Sequence, residues 1–185
     1  MPTSYPGSLD AFTNPNSGDA LTSPSHAGQH TDINDAIEAV EAAIGVKYGA
    51  RVHAKRAASQ TITTATNTAI ALNETDVYDT DNFHETVTNP SRVTIPTAMG
   101  GIYLLVGFVT FAASATGNRI IFLRSGGATS LAGEATAGTA TNGTQMNVSD
   151  VRSLAAAEYV ELMVYQSSGG DLGVTASYLV AIKIA

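Results

Sequence analysis

The 185-residue chain contains no cysteine and no tryptophan, and 14% of its residues are charged. Without cysteine there are no disulfides and no thiolate metal sites, which suits assembly in a reducing cytoplasm. So little charge excludes a long helical protein laced by surface salt bridges. Lys and Arg number 9 against 16 Asp and Glu, a net charge of −7, so neither nucleic acid nor an anionic membrane surface is an expected partner. Long apolar runs are missing too. The longest, Ile102–Ala113, is too short to span a bilayer and is interrupted by Gly107 and Thr110, so no membrane insertion is expected. The opening MPTSYPGSLD has neither a basic n-region nor an apolar h-region, so no signal peptide is expected. No GxSxG, P-loop, GxGxxG or HExxH occurs, so neither an enzyme nor a cofactor is expected.

What is present falls into three parts. Residues 1–30 place Pro2, Pro6, Pro15 and Pro24 among Ser, Asn, Gly and Thr. Their few large apolar side chains, Tyr5, Leu9, Phe12 and Leu21, show no sustained period. Such a segment cannot bury enough surface to fold alone. It reads as a disordered tail or as an extended arm that orders on a partner, with those four residues as anchors. Residues 31–46 follow as a short helix. Ile33, Ile37, Val40 and Ile44 fall at spacings of four, three and four, an a/d stripe with Ile37 and Ile44 at a. Thr31 or Asp32 can cap its start and Gly45 its end. A seam so narrow suits other copies of itself, and β-branched residues at both a and d favour three strands. The other reading is an amphipathic helix lying on its own domain.

From residue 47 the pattern changes to strands and turns. Arg51–Ala57 alternates weakly, and Gln60–Leu72 is rich in Thr and Ile. The stretch 73–90 is polar, and Ser91–Ile95 is a short strand ended by Pro96. The nearly continuous apolar run Ile102–Ala113 suits a strand covered on both faces, one by the core and the other by another subunit. Arg119–Arg124, Gln145–Val151, Tyr159–Gln166 and Val174–Ile184 follow as strands, with 128–142 as a small-residue loop or weak strand. Eight to ten short strands with Gly turns predict a mainly β fold, a β-sandwich or jelly roll.

The run TAIALNETDVYDTDNFHETVTNPSRVTIPTAMGGIYLLVGFVTF carries several landmarks in order. Ile70 and Leu72 lie on an apolar strand, and Tyr78-Asp79 opens a turn two residues short of Asp81. Phe83 follows, then Val93–Pro96, then Gly101-Ile102-Tyr103 leading into Phe111. This order resembles the front half of the globular heads of the complement/tumour-necrosis-factor-like jelly-roll superfamily. The later LAAAEYVELMVYQSSGG resembles that family's strand pair, although Ala157-Glu158 stands where Gly-Asp would be. The closing ASYLVAIKIA also lacks the aromatic-rich last strand of the animal members. The resemblance implies a ten-strand jelly-roll β-sandwich over 47–185 that forms a tight homotrimer. Such heads occur on phage structural proteins behind a Pro/Ser-rich arm and a short trimeric coiled-coil helix, and PSHAGQHTDINDAIEAVEAAIG is similar to that kind of leader. The implied place is the virion, assembled in the host cytoplasm, as a head fibre, capsid decoration or tail-associated protein. The implied partner is the major capsid or tail protein. The alternative is the adhesin head of a tail fibre, binding a receptor or a host-surface glycan.

Ion sites are less well supported. Asp76, Asp79 and Asp81 cluster in DVYDTDN, but calcium needs several convergent oxygens, and these Asp residues suit turns. His26 and His30 are spaced i, i+4, but Ala27 stands where a zincin would have Glu. His30 continues the helical seam, where three copies could hold an anion, a water or a metal. Solvated or stacked His is the simpler reading, and no metal is expected.

Overall fold

A computed structural model describes the backbone of residues 26–185 and the side chains of 30–41 and 49–185. Residues 1–25 of the expected arm at 1–30 lie outside the described residues, and 26–30 belong to α1. One helix and eleven strands are described. The helix α1 runs over His26–Tyr48, starting ahead of the expected Thr31 and passing through both Gly28 and Gly45. A glycine inside a helix costs up to about 1 kcal/mol relative to Ala, too little to stop a ladder of this length. Helix and head belong to separate compact units divided between Tyr48 and Gly49.

The head is built from β1 (Arg51–Arg56), β2 (Gln60–Ile62), β3 (Thr68–Ala69), β4 (Tyr78–Asp79) and β5 (Arg92–Thr94), followed by six longer strands. These are β6 (Gly101–Phe111), β7 (Asn118–Ser125), β8 (Thr129–Ala137), β9 (Thr144–Leu154), β10 (Tyr159–Gln166) and β11 (Leu172–Lys183). One antiparallel sheet has the order β4-β1-β11-β6-β9, with β2 also paired to β11. The other has the order β3-β10-β7-β8, with β5 also paired to β10. The chain crosses between the sheets repeatedly, and each crossing lets alternate side chains turn inward.

That alternation builds the core. On β6, Tyr103, Leu105, Val109 and Phe111 are buried, and on β11 Leu179 and Ala181 are. They meet Ile121 and Leu123 of β7 and Val160, Leu162 and Val164 of β10 in one cluster. Gly107, mid-strand on β6, is what lets the two sheets close. A Cβ there would stand 2.6 Å from a Leu162 methyl and 3.0 Å from one of Val148. Arg119 is the exception to an apolar interior. It is fully buried, and its guanidinium donates to the carbonyls of Ser114 (2.9 Å), Thr116 (3.0 Å) and Asn118 (3.0 Å). It thereby ties the 112–117 loop to the end of β7.

The departure at Ala157-Glu158 has a structural counterpart. Ala157 takes φ 65°, the left-handed conformation that favours glycine. Glu158 then closes the turn, accepting the Ala155 amide at 2.9 Å and the Ser125 hydroxyl. A left-handed non-glycine residue costs about 1–2 kcal/mol, and glycine returns about 0.5–1 kcal/mol of that as chain entropy. Ala157→Gly should therefore stabilise the head by about 0.5–1 kcal/mol. The check is a higher urea midpoint at unchanged slope; an equal or lower midpoint contradicts strain at this turn.

Candidate functional site: an apolar sheet face and a clamped loop

The outward side of the larger sheet is not polar, as a solvated sheet face normally is. Ile102, Leu104, Val106 and Phe108 alternate with the buried residues of β6, and Tyr178, Val180 and Ile182 do so on β11. The pairing register sets them side by side: Tyr178 opposite Phe108, Val180 opposite Val106, Ile182 opposite Leu104. Ile102 is 40% exposed. On one flank β1 presents Arg51, His53 and Lys55. On the other flank β9 presents Asn147 and Ser149, opposite Phe108 and Val106. An apolar centre with a polar rim is the anatomy of a protein interface.

Aromatic contacts stiffen this face. Phe108 and Tyr178 stack at 5.1 Å, and His53 meets Tyr178 edge-on at 5.1 Å and Tyr78 at 5.7 Å. The row Tyr78–His53–Tyr178–Phe108 thus crosses four neighbouring strands. Burial, then the nearby Lys55 charge, hold the His53 imidazole below its ordinary value, against a smaller opposing pull from Asp76. The outward side of the smaller sheet differs. There Arg124 and Glu161 form a two-pronged pair (3.0 and 2.7 Å), and Arg92 lies 4.2 Å over the Tyr159 ring.

The polar stretch 73–90 is held by side chains. Asp79 accepts the amides of Phe83 and His84, both at 2.9 Å, which closes the turn. His84 lies beneath, with Nδ1 2.9 Å from the Asp76 carboxylate and Nε2 3.1 Å from the Pro90 carbonyl. A carbonyl only accepts, so Nε2 carries a proton. Nδ1 then either donates to an ionised Asp76 or accepts from a protonated one, and one proton is held between them either way. Burial, the larger cause, pushes the Asp76 carboxyl above its ordinary range, against the pull of His84. Asp76, Asp79 and His84 therefore serve the loop, while Asp81 takes the Thr80 hydroxyl at 2.5 Å. Among the described residues no group of three or more His, Asp or Glu gathers in a way that could hold a metal ion.

On α1 the expected seam is open: Ile33, Ile37 and Val40 are 47%, 52% and 37% exposed. Ile44 lies on the same helix, and its side chain is outside the described residues, as are the expected arm anchors Tyr5, Leu9, Phe12 and Leu21. Among the described residues no helix is long and apolar enough to cross a membrane.

No family model and no curated protein sequence matches the chain. Solved structures do. The PRD1 vertex protein P5 superposes with a TM-score of 0.59 at 12% identity, over 75% of this chain and 99% of that one. The globular domain of zebrafish complement 1qA protein superposes at 0.50 and 12% identity, over 72% of this chain and 94% of that one. The head has a complement/tumour-necrosis-factor-like jelly-roll fold. Murine APRIL, at 0.50 and 12% identity over 72% of this chain and 98% of that one, is similar in the same way. At such identities the likeness is one of fold. It agrees with the mainly β, two-sheet architecture expected from the sequence, with the difference that eleven strands are formed rather than ten. Relative to the nine segments read as strands in the sequence, two are added: Gln60–Leu72 breaks at 63–67 into β2 and β3, and Tyr78–Asp79 forms a two-residue strand inside the polar stretch.

Proposed function

We propose that the chain is a non-enzymatic homotrimeric virion structural protein. In this reading the arm at 1–30 attaches it to the major capsid or tail protein, the helix gathers three chains, and the jelly-roll heads are displayed outward. The observation that carries the reading is the apolar outward face of β6 and β11. Seven large apolar side chains in register on a sheet face are too many to leave in water. A second feature of the head complements it. The edges of β8 and β9 lie on one flank, each pairs on one side only, β8 carries mostly small side chains, and neither has the Pro or Lys that commonly guards a free edge. A face on one copy meeting a flank on the next is a head-to-tail contact, which closes into a three-membered ring when successive copies are turned by a third of a revolution. Three copies also suit the β-branched seam Ile33, Ile37, Val40 and Ile44. The fold likeness to a vertex protein supports a place on a virion.

Attachment is tested by comparing the full chain with one that starts at residue 31, each mixed with particles that lack the protein. The full chain should co-sediment with the particles. The shortened chain should keep its trimer mass and head fold and stay in the supernatant. Equal binding by both would remove the arm from the proposal. A second reading, a receptor- or glycan-binding head, is favoured by one specific feature of the clamped loop.

A further inference from the structure

We propose that the hollow between the clamped loop and β5 is a saccharide site that takes a single neutral sugar ring. The hollow measures about 230 Å³ and is lined by Asn82, Glu85, Thr88, Asn89, Arg92 and Thr94, with buried Phe83. The inference goes beyond the structural role and needs only the head.

The chemistry of the lining selects the ligand class. Two amides, one carboxylate, one guanidinium and two hydroxyls offer donors and acceptors in planar, paired arrangements that match vicinal hydroxyl groups. Glu85 and Arg92 balance in charge, so an anionic or cationic ligand gains little. One carboxylate is too few for a hard cation. The lining has no apolar pocket to hold a peptide anchor, and its volume is below the ~300–1,000 Å³ of drug-sized pockets, so the fit is to one ring.

The lining side chains are uncommitted, and the backbone that carries them is held. Among the described residues, the side chains of Asn82, Glu85, Thr88, Asn89 and Thr94 have no hydrogen-bond partner. Arg92 has a 3.7 Å approach to Glu161 and the Tyr159 ring at 4.2 Å, which fix its plane and leave most of its five N–H groups unused. Beneath, the fully buried His84 side chain ties Asp76 to the Pro90 carbonyl, and Asp79 fixes the Phe83 and His84 amides. The loop spends a buried His–Asp pair while adding only Phe83 and His84 to the interior between 80 and 90. Asn82 and Asn89 sit at φ 60° and 56°, the left-handed conformation that Asn adopts most readily after glycine. A loop backbone ordered in advance reduces what a weak polar ligand must overcome on binding.

The test is ligand-observed NMR and calorimetry on the full-length chain with glucose, galactose, mannose, rhamnose and N-acetylglucosamine, and with sialic acid as the charged comparison. At least one neutral sugar should bind with Kd on the order of 1 mM. The double variant Asn82→Gly plus Asn89→Gly keeps the left-handed backbone and removes both amides, so it should keep the melting temperature and weaken binding at least about tenfold. Thr88→Val, on the exposed rim, is the second variant should the double variant lose stability, and it should weaken binding as well. No binding of any neutral sugar, binding of sialic acid alone, or binding unchanged in the variants would each overturn the proposal.

Discussion

Val106→Asp should convert the proposed trimer to a monomer. Val106 stands at the middle of the outward face, opposite Val180 on β11 and Ser149 on β9, with Leu104 and Phe108 two residues away on its own strand. Its side chain points away from the core, so a carboxylate there leaves the folded head intact in isolation. In a trimer the same carboxylate is buried against apolar groups with no partner. An unpaired buried charge costs on the order of 3–5 kcal/mol even after relaxation, and three copies impose it three times. The mass in solution should fall from three times 19.0 kDa to that value, with the strand signal in circular dichroism unchanged. A variant that remains trimeric would place the association in the helix or on another face. The paired control is Val87→Asp on the 80–90 loop, where Val87 is 88% exposed and outside both the face and the β8/β9 flank; it should leave the mass unaltered.

Asp76→Ala should destabilise the head by about 3 kcal/mol, near the cost of breaking a buried charged pair on one side. The His84 side chain has no exposure and that of Asp76 has 13%, so water cannot take over the lost contact. For a head of this size the loss corresponds to a fall in melting temperature of roughly 10 °C. Asp76→Asn is the informative comparison. Its amide can still meet Nδ1 of a neutral His84, so it should cost less than about 1.5 kcal/mol. The pH dependence has a definite sign. The Asp76 carboxyl is raised above its ordinary value of 3.8 in the folded head, so the folded state holds the extra proton between that value and the raised one. The contribution of this group to stability is therefore fully present below 3.8 and declines as pH rises through the raised value. Asp76→Asn should flatten that decline in a series of urea melts. A decline as steep in the variant as in the parent would assign it to other groups.

The long strands were legible because their side chains keep a period of two. Ile102–Ala113 told more than its place in a sheet. A run apolar at both parities has two faces to cover, and the structure puts Tyr103, Leu105 and Val109 in the core and Leu104, Val106 and Phe108 on the outward side. The weak alternation of Arg51–Ala57 hid the fact that β1 borders this face, since Val52 and Ala54 turn inward while His53 joins the aromatic row. The short strands β2 to β5 carry too few residues for any period to show. Arg119 was illegible for another reason: nothing local distinguishes it from Arg124 at the other end of the same strand. One turns inward to carbonyls and the other outward to Glu161, and only the parity of β7 decides between them. The His84–Asp76 contact was not legible, because Asp76 reaches His84 across a turn that Asp79 creates. The hollow was unreadable in sequence, since Arg92 and Thr94 come from a strand and the other polar lining residues from the loop before it.

The helix and the face were reached by different routes, spacing for Ile33, Ile37, Val40 and Ile44 and parity for β6, and both lead to association between copies. Native mass spectrometry of the unmodified full-length chain at micromolar concentration tests that association directly. The account predicts one species at three times 19.0 kDa; a lone 19.0 kDa monomer would contradict it.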